Sequence, residues 1–416
     1  MQTTRRQFLK YASLLFIASL LPIGLNGWAA SLSQIIPTGA DAKRKRLIVL
    51  FQRGAVDGLN VVIPHGDSTY YDARPTIAIR SSGTDGVIDL DGFFGLHPAL
   101  SPLLPLWREK SLAFIHAAGS PDPSRSHFDA QKFMESGTPG VLTTQDGWMN
   151  RLLSLLPGSQ SPTRAISVGP ILPFILHGKM SVANLPLGNN SQKPMPLDRP
   201  IIENAFDKLY DGNDPLSQAY KEGRIARKTL LSDLEREMVA ANNGAPLPQG
   251  FPESAEKLGA LLADDPNIQL AFIDVGGWDT HINQGAATGQ LANHLKPFGD
   301  GIARLVKRLG PVYDQTIIMV LSEFGRTIHE NGNGGTDHGH GNVLWLLGGG
   351  VHGGKIFGEW PGLSTNLFEG RDLAVTTDFR NVVNSVLANN FYLDENQLGT
   401  IFPTMDTIQP LNGLFI

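Results

Sequence analysis

Short, unbroken apolar runs alternate with amphipathic stretches along this chain, and that alternation leaves few folds open. Residues 47–51 (Leu47-Ile48-Val49-Leu50-Phe51) are apolar at every position and 268–275 and 316–321 are largely apolar, the pattern of strands covered on both sides. Residues 255–263 precede the second run and 295–309 separate it from the third, and both carry helical periodicity. Strands alternating with helices imply an α/β fold, a mostly parallel sheet flanked by helices on both faces. At 416 residues the chain can bury such a core without covalent staples.

The N-terminus reads differently. Thr3-Thr4-Arg5-Arg6-Gln7-Phe8-Leu9-Lys10 places paired guanidiniums before an apolar stretch, residues 11–25, followed by small residues through Ala30. A charged, an apolar and a cleavage region in that order make residues 1–30 a secretion signal, with an amphipathic first helix as the alternative. The paired arginines followed by Phe-Leu-Lys resemble the motif read by the twin-arginine translocase, which carries folded cargo. The apolar run is shorter than the roughly 20 residues that span a bilayer, so no permanent membrane span is expected. The expected location is periplasmic or extracellular. Residues 31–46 form a linker ending in Lys43-Arg44-Lys45-Arg46, and 47–416 form the α/β domain. Within it, residues 185–242 read as an insertion: a proline-rich loop over 185–199, then a charged helix over 214–242. A net charge of −5, with one basic cluster outside the signal, makes nucleic acid an unsuitable partner. With no cysteine, any metal must be held by His, Asp or Glu, which suits zinc first and admits manganese, magnesium or calcium.

Five segments concentrate the chemistry at or near strand ends, where open α/β sheets bind ligands. Asp57 lies in Arg53-Gly54-Ala55-Val56-Asp57-Gly58, after the first strand, and can be a metal ligand or a turn residue. Asp279 and His281, in Gly276-Gly277-Trp278-Asp279-Thr280-His281, are two apart and share a side of extended chain. In Ser322-Glu323-Phe324-Gly325-Arg326, Glu323 can ligate a metal while Arg326 clamps an anion; a salt bridge between the two is the plainer alternative. In Thr336-Asp337-His338-Gly339-His340-Gly341, two imidazoles beside a carboxylate point to metal ligation. Ser126, in Ser124-Arg125-Ser126-His127-Phe128, sits where a helix begins; it can serve as a nucleophile facing an anion or simply as an N-cap.

Together these motifs resemble the domain-of-unknown-function family numbered 1501, over nearly all of the chain beyond the signal. That family is similar to the alkaline phosphatase and sulfatase superfamily, whose members place a Ser, Thr or modified Cys nucleophile beside a metal site. The resemblance implies Ser126 as nucleophile, with Asp57, Asp279, His281, Glu323 and His338 or His340 around one or two divalent ions. Two departures stand out. Phe324 replaces the His of an Asp-His pair, and Asp279 and His281 are closer in sequence than in those relatives. Either His340 or His127 completes a second metal site, or one cation suffices. Without cysteine there is no formylglycine, so a phosphoester or serine-based mechanism is favoured over typical sulfatase chemistry. The expected function is an exported metal-dependent hydrolase of a phosphate or sulfate ester on a small molecule or polymer. The alternative is a non-catalytic binding or assembly protein of the cell envelope that keeps the fold.

Overall fold

The structure is a computed structural model that describes residues 45–158, 161–185, 239–365, 367–405, 407 and 409–416. The expected secretion signal, nearly all of the linker and residues 186–238 of the expected insertion lie outside these.

Strands are numbered in chain order: β1 Arg46–Gln52, β2 Val62–Ile63, β3 Ile88–Asp89, β4 Gly95–Leu96, β5 Leu112–Gly119, β6 Ala165–Val168, β7 Ala183–Leu185, β8 Leu270–Val275, β9 Thr316–Ser322, β10 Asn342–Gly348, β11 Lys355–Phe357 and β12 Thr377–Asp378. Among the described residues, the helices of seven or more residues are α1 His127–Ser136, α2 Trp148–Leu155, α3 Phe251–Asp264, α4 Gln290–Leu309, α5 Phe379–Phe391 and α6 Glu395–Ile401. The main sheet has the order β11-β5-β10-β9-β1-β8-β6-β7, with β12 paired beside β5, while β2, β4 and β3 form a small separate sheet.

All pairings in the main sheet are parallel except those of β10, which runs against both β5 and β9. The fold class is therefore the expected one, with one reversed strand. That reversal matters for function. It places the amino end of β10, and the His338–His340 segment before it, beside the carboxyl ends of β5 and β9.

The period-2 alternation of strand side chains explains why β1 is apolar throughout. Ile48 and Leu50 enter a core built with Phe251, Leu258, Leu295, Phe298 and Leu305 of α3 and α4. Leu47, Val49 and Phe51 enter a second core on the opposite face, with Trp148 and Leu152 of α2 and Phe379 and Val383 of α5. Helices thus cover both faces, as the sequence predicts. The strand at 47–51 is one residue longer at each end, whereas the helix expected to begin at 295 starts at Gln290, passing through Pro297. Its apolar side carries it: Leu291, Ala292, Leu295 and Phe298 are all buried, and packing outweighs the hydrogen bond a helix loses at proline.

Among the described residues no helix is long and apolar enough to cross a membrane.

Candidate metal centre

Glycine makes the approach of these loops feasible. A Cβ on Gly54, whose φ is +111°, would lie 2.7 Å from the Asp279 backbone nitrogen. One on Gly339 would lie 2.4 Å from the Arg326 carbonyl carbon, where residues 326 and 338 form an antiparallel bridge. The glycines of two motifs therefore let the chain segments after β1, β8 and β9 touch. Trp278 is fully buried, bonds its indole nitrogen to Val275 O at 2.8 Å and fixes the loop that carries Asp279.

Around Asp279 the imidazoles converge. Its Oδ1 lies 3.0 Å from His281 Nε2, 3.4 Å from His338 Nε2 and 3.6 Å from His127 Nε2. His338 Nε2 is itself 2.9 Å from His127 Nε2 and 3.0 Å from His281 Nε2. His127, Asp279 and His338 present ligand atoms all within 4.8 Å of one another, and His281 adjoins them through Asp279 and His338.

Every one of the three rings is held from behind. His127 Nδ1 meets Glu323 Oε1 at 2.8 Å, His281 Nδ1 meets Asp337 Oδ1 at 3.1 Å, and His338 Nδ1 meets Arg125 O at 2.9 Å. An acceptor at Nδ1 selects the tautomer whose Nε2 lone pair faces the cluster, the arrangement that orients metal-bound histidine.

Three observations fit a divalent cation here. The Nε2 separations of 2.9 and 3.0 Å approach the roughly 3.3 Å edge of a tetrahedron with zinc–nitrogen bonds of about 2.0–2.1 Å. Asp279 Oδ2 is buried and has no hydrogen-bond partner, an orphan that native structures rarely tolerate. The donor set, imidazole nitrogens and one carboxylate, suits zinc and related borderline cations.

The same contacts set the ionisation of the cluster. Burial favours neutral Asp279, but the Arg326 guanidinium and the three imidazoles outweigh it and hold the carboxyl far below its usual range. Burial also opposes charge on His127, yet its contacts with Asp279 and Glu323 lift its pKa to about 9. Glu323, although fully buried, is pulled down to about 2 chiefly by His127. His338 moves the other way: burial, Arg326 and His127 together lower its pKa.

Several residues expected at the site have other neighbours. Asp57 is not at the cluster: its oxygens are bound by Arg74 at 2.6 and 3.0 Å and by Gln284 at 2.6 Å, all fully buried. Glu323 lies behind the His127 ring, accepting from Gly54 N, His127 and Gln131 through Oε1 and from Ser322 through Oε2. His340 stacks on Phe368 at 4.2 Å and is not among the residues whose ligand atoms converge. Arg326 is buried against Gly54 O, Ala55 O, Trp278 O, Thr336 O and Asp279, so its guanidinium faces backbone carbonyls and not an open site. The internal salt bridge exists, but its partner is Asp279 and not Glu323. Ser126 caps α1, accepting from Asp129 N at 3.4 Å, and is exposed.

Asp279, His281 and His338 do meet as expected. His127, which the sequence offers only as an alternative ligand, stands at the centre. Phe324, in place of an expected histidine, packs against the His127 and His338 rings at 4.9 and 5.1 Å and forms an apolar wall. Gln131 lies in none of the sequence motifs, while Asp337 and Arg53 lie in them, Asp337 as the carboxylate beside the two imidazoles. Arg53 is buried between Asp274 at 2.7 Å and Glu135 at 2.8 Å, and it holds Gln131, which in turn holds Glu323.

Solved structures similar to this chain include a protein of the alkaline phosphatase superfamily from Vibrio parahaemolyticus, at 11% identity and a TM-score of 0.37; it covers 76% of this chain, which spans 63% of that protein. Another is the C-terminal periplasmic domain of EcEptC from Escherichia coli, solved with zinc, at 10% identity, TM-score 0.37 and 74% coverage of each chain. A third is the lipoteichoic acid synthase LtaP from Listeria monocytogenes, at 8% identity and TM-score 0.35, covering 86% of this chain and 74% of its own. At such identities and scores the likeness concerns the course of the chain and not its chemistry. Comparison with curated proteins gives no match. A family model does match, across residues 107–402; that leaves the Arg53–Gly58 motif outside the matched range, a narrower span than the sequence motifs suggest. The chain belongs to the family described as "Protein of unknown function (DUF1501)".

Proposed function

We propose that this protein is an exported hydrolase of a phosphate or sulfate ester that works with a single divalent cation, zinc first, held by His127, Asp279, His281 and His338. The observation that carries the reading is the convergence of three imidazole Nε2 atoms on Asp279, each ring held by an acceptor at Nδ1. One cation is proposed because Asp57 and Glu323 already have partners.

Bound there, a divalent cation supplies charge stabilisation to an ester oxygen. The chain's own contribution is orientation and exclusion of water. Glu323, Asp337 and the Arg125 carbonyl keep the Nδ1 protons outward, and Phe324 closes one side with carbon. Ser126, one residue before His127 at the N-terminus of α1, offers its Oγ as nucleophile, and its long cap bond to Asp129 N leaves the hydroxyl accessible.

Elemental analysis of purified protein tests the centre. Wild type should carry about one zinc-class ion, His127→Ala and His338→Ala should lose it, and His340→Ala should keep it. Metal content indifferent to His127 and His338 would sink the proposal. Screening phosphomonoesters, phosphodiesters and sulfate esters with wild type and Ser126→Ala then tests turnover. The capping role of Ser126 favours the second reading, an envelope binding or assembly protein. Metal-dependent polymer binding without Ser126-dependent turnover would support that reading.

The holding residues have their own signature. Glu323→Gln removes the charge behind His127, and a roughly 10- to 100-fold weaker metal affinity is expected, as for other outer partners of metal-bound histidine. Competition with a chromogenic chelator measures it; unchanged affinity would show that the Glu323 contact does not tune the ring.

A further inference from the structure

Two arginines stand beside His338 on the solvent side. Arg125 gives its carbonyl to His338 Nδ1, and Arg371 donates from Nη2 to His338 O at 2.5 Å. Their side chains flank Asp372, which is fully buried and bonds to Arg125 at 2.6 Å and to Arg371 at 2.9 Å. Arg125 is 27% exposed and Arg371 46%. Among the described residues neither has a hydrogen-bond partner at Nη1. Arg125 also contacts Glu369 at 2.7 Å, and that carboxylate is 54% exposed.

Glu369 is an unusual residue for its place. Phe368-Glu369-Gly370-Arg371 is a tight turn closed by Arg371 N to Phe368 O at 3.2 Å, with φ of +51° at Glu369 and +72° at Gly370. Positive φ at both central positions defines a type I′ turn, where Asn-Gly or Asp-Gly is the favoured pair. A glutamate there is strained, since only Gly, Asn and Asp adopt this region readily. The strained position holds an exposed anion against one of two guanidiniums next to the imidazole cluster.

We propose that Arg125 and Arg371 form the subsite for a tetrahedral oxyanion, phosphoryl or sulfuryl, and that the Glu369 carboxylate is a placeholder which that anion displaces. The inference rests on the ester-hydrolase reading of the neighbouring centre and names the charge its ligand carries. Asp372 stays buried and fixes both guanidiniums, whereas Glu369 is free to swing into solvent. The planar fork of arginine matches such oxygens in pairs.

Titration calorimetry with inorganic phosphate and, separately, inorganic sulfate on the protein as purified tests the subsite. Glu369→Gln and Glu369→Asn should bind the anion about tenfold more tightly than wild type, and Arg371→Gln about tenfold more weakly, because a charge-assisted contact is gained or lost. Metal content should be equal in all four proteins. A gain in affinity cannot come from misfolding, so the Glu369 variants keep the test decisive. Anion affinity unchanged or weaker in both Glu369 variants, or unchanged in Arg371→Gln, overturns the subsite even where the metal centre is confirmed. Loss of the centre appears separately, as wild-type protein without metal. The preferred anion between phosphate and sulfate identifies the ester.

Discussion

Arg326→Met is expected to destabilise the protein by about 3–5 kcal/mol, the cost of breaking a buried ion pair from one side. The guanidinium is fully buried and accepted by four backbone carbonyls, those of Gly54, Ala55, Trp278 and Thr336, as well as by Asp279. Those acceptors belong to the segments that follow β1, β8 and β9, so one side chain ties the three together. Methionine keeps much of the volume and removes every donor. It leaves a buried carboxylate facing carbonyl oxygens. A typical domain has only about 5–15 kcal/mol to lose, so the variant should show a much lower urea midpoint and poor recovery of soluble protein. Lysine should rescue it only in part, since one ammonium cannot reach acceptors spread around a planar fork. A wild-type midpoint for Arg326→Met, with weakened anion binding instead, would restore the clamp role that the bare motif suggests.

Acid should unfold the protein through two histidines far from the imidazole cluster. His97 accepts Ala99 N at Nδ1, 3.0 Å, and donates from Nε2 to Ala286 O, 3.1 Å. His116 accepts Ala117 N at 3.1 Å and donates to Val62 O at 2.9 Å. Both rings are buried, and a second proton would point an N–H at an N–H. Burial lowers each pKa from 6.5 to about 4. In the unfolded chain these groups take up a proton as pH falls through about 6.5, while the folded chain refuses it until about 4. The stabilisation is therefore complete above pH 6.5 and is lost progressively down to pH 4. A gap of about 2.5 units corresponds to roughly 3 kcal/mol per histidine. Urea unfolding at pH 7.0, 5.5 and 4.5 measures the slope. His97 is also the N-cap of the short 3-10 turn Pro98–Leu103. Asparagine is a favoured cap that does not titrate, so His97→Asn should flatten the slope between pH 6.5 and 4. An identical slope in the variant would mean that His97 is protonated in the folded state.

The buried polar groups were the least legible part of the chain, and the reason is physical. Asp57 follows a strand and sits among glycines, which is as consistent with a metal ligand as with a structural anion. What decides between them is Arg74, placed by the short helix Ser68–Ala73 that ends beside it. Glu323 and His127 are 196 positions apart, and no local pattern announces that they meet. His340 and His338 are equivalent by composition and spacing. Because residue 338 pairs with residue 326 in an extended bridge, side chains two apart share a side only while the chain stays extended, and it bends at His340 before Gly341 N bonds to Leu373 O.

The sequence by itself determined the layered α/β architecture, the strand positions to within about two residues and the type of donor a metal would find, and it held Asp279, His281 and His338 among its six metal candidates. Those follow from periodicity, from the absence of thiols and from short motifs, all of which are local. Tertiary structure alone decided the partners: Arg74 for Asp57, backbone carbonyls for Arg326, a stacking phenylalanine for His340, and the place of His127 at the centre. The reversed strand β10 decided where the two late histidines lie, since strand direction is settled by pairing between distant segments, and that direction brings His338 to the carboxyl ends of β5 and β9.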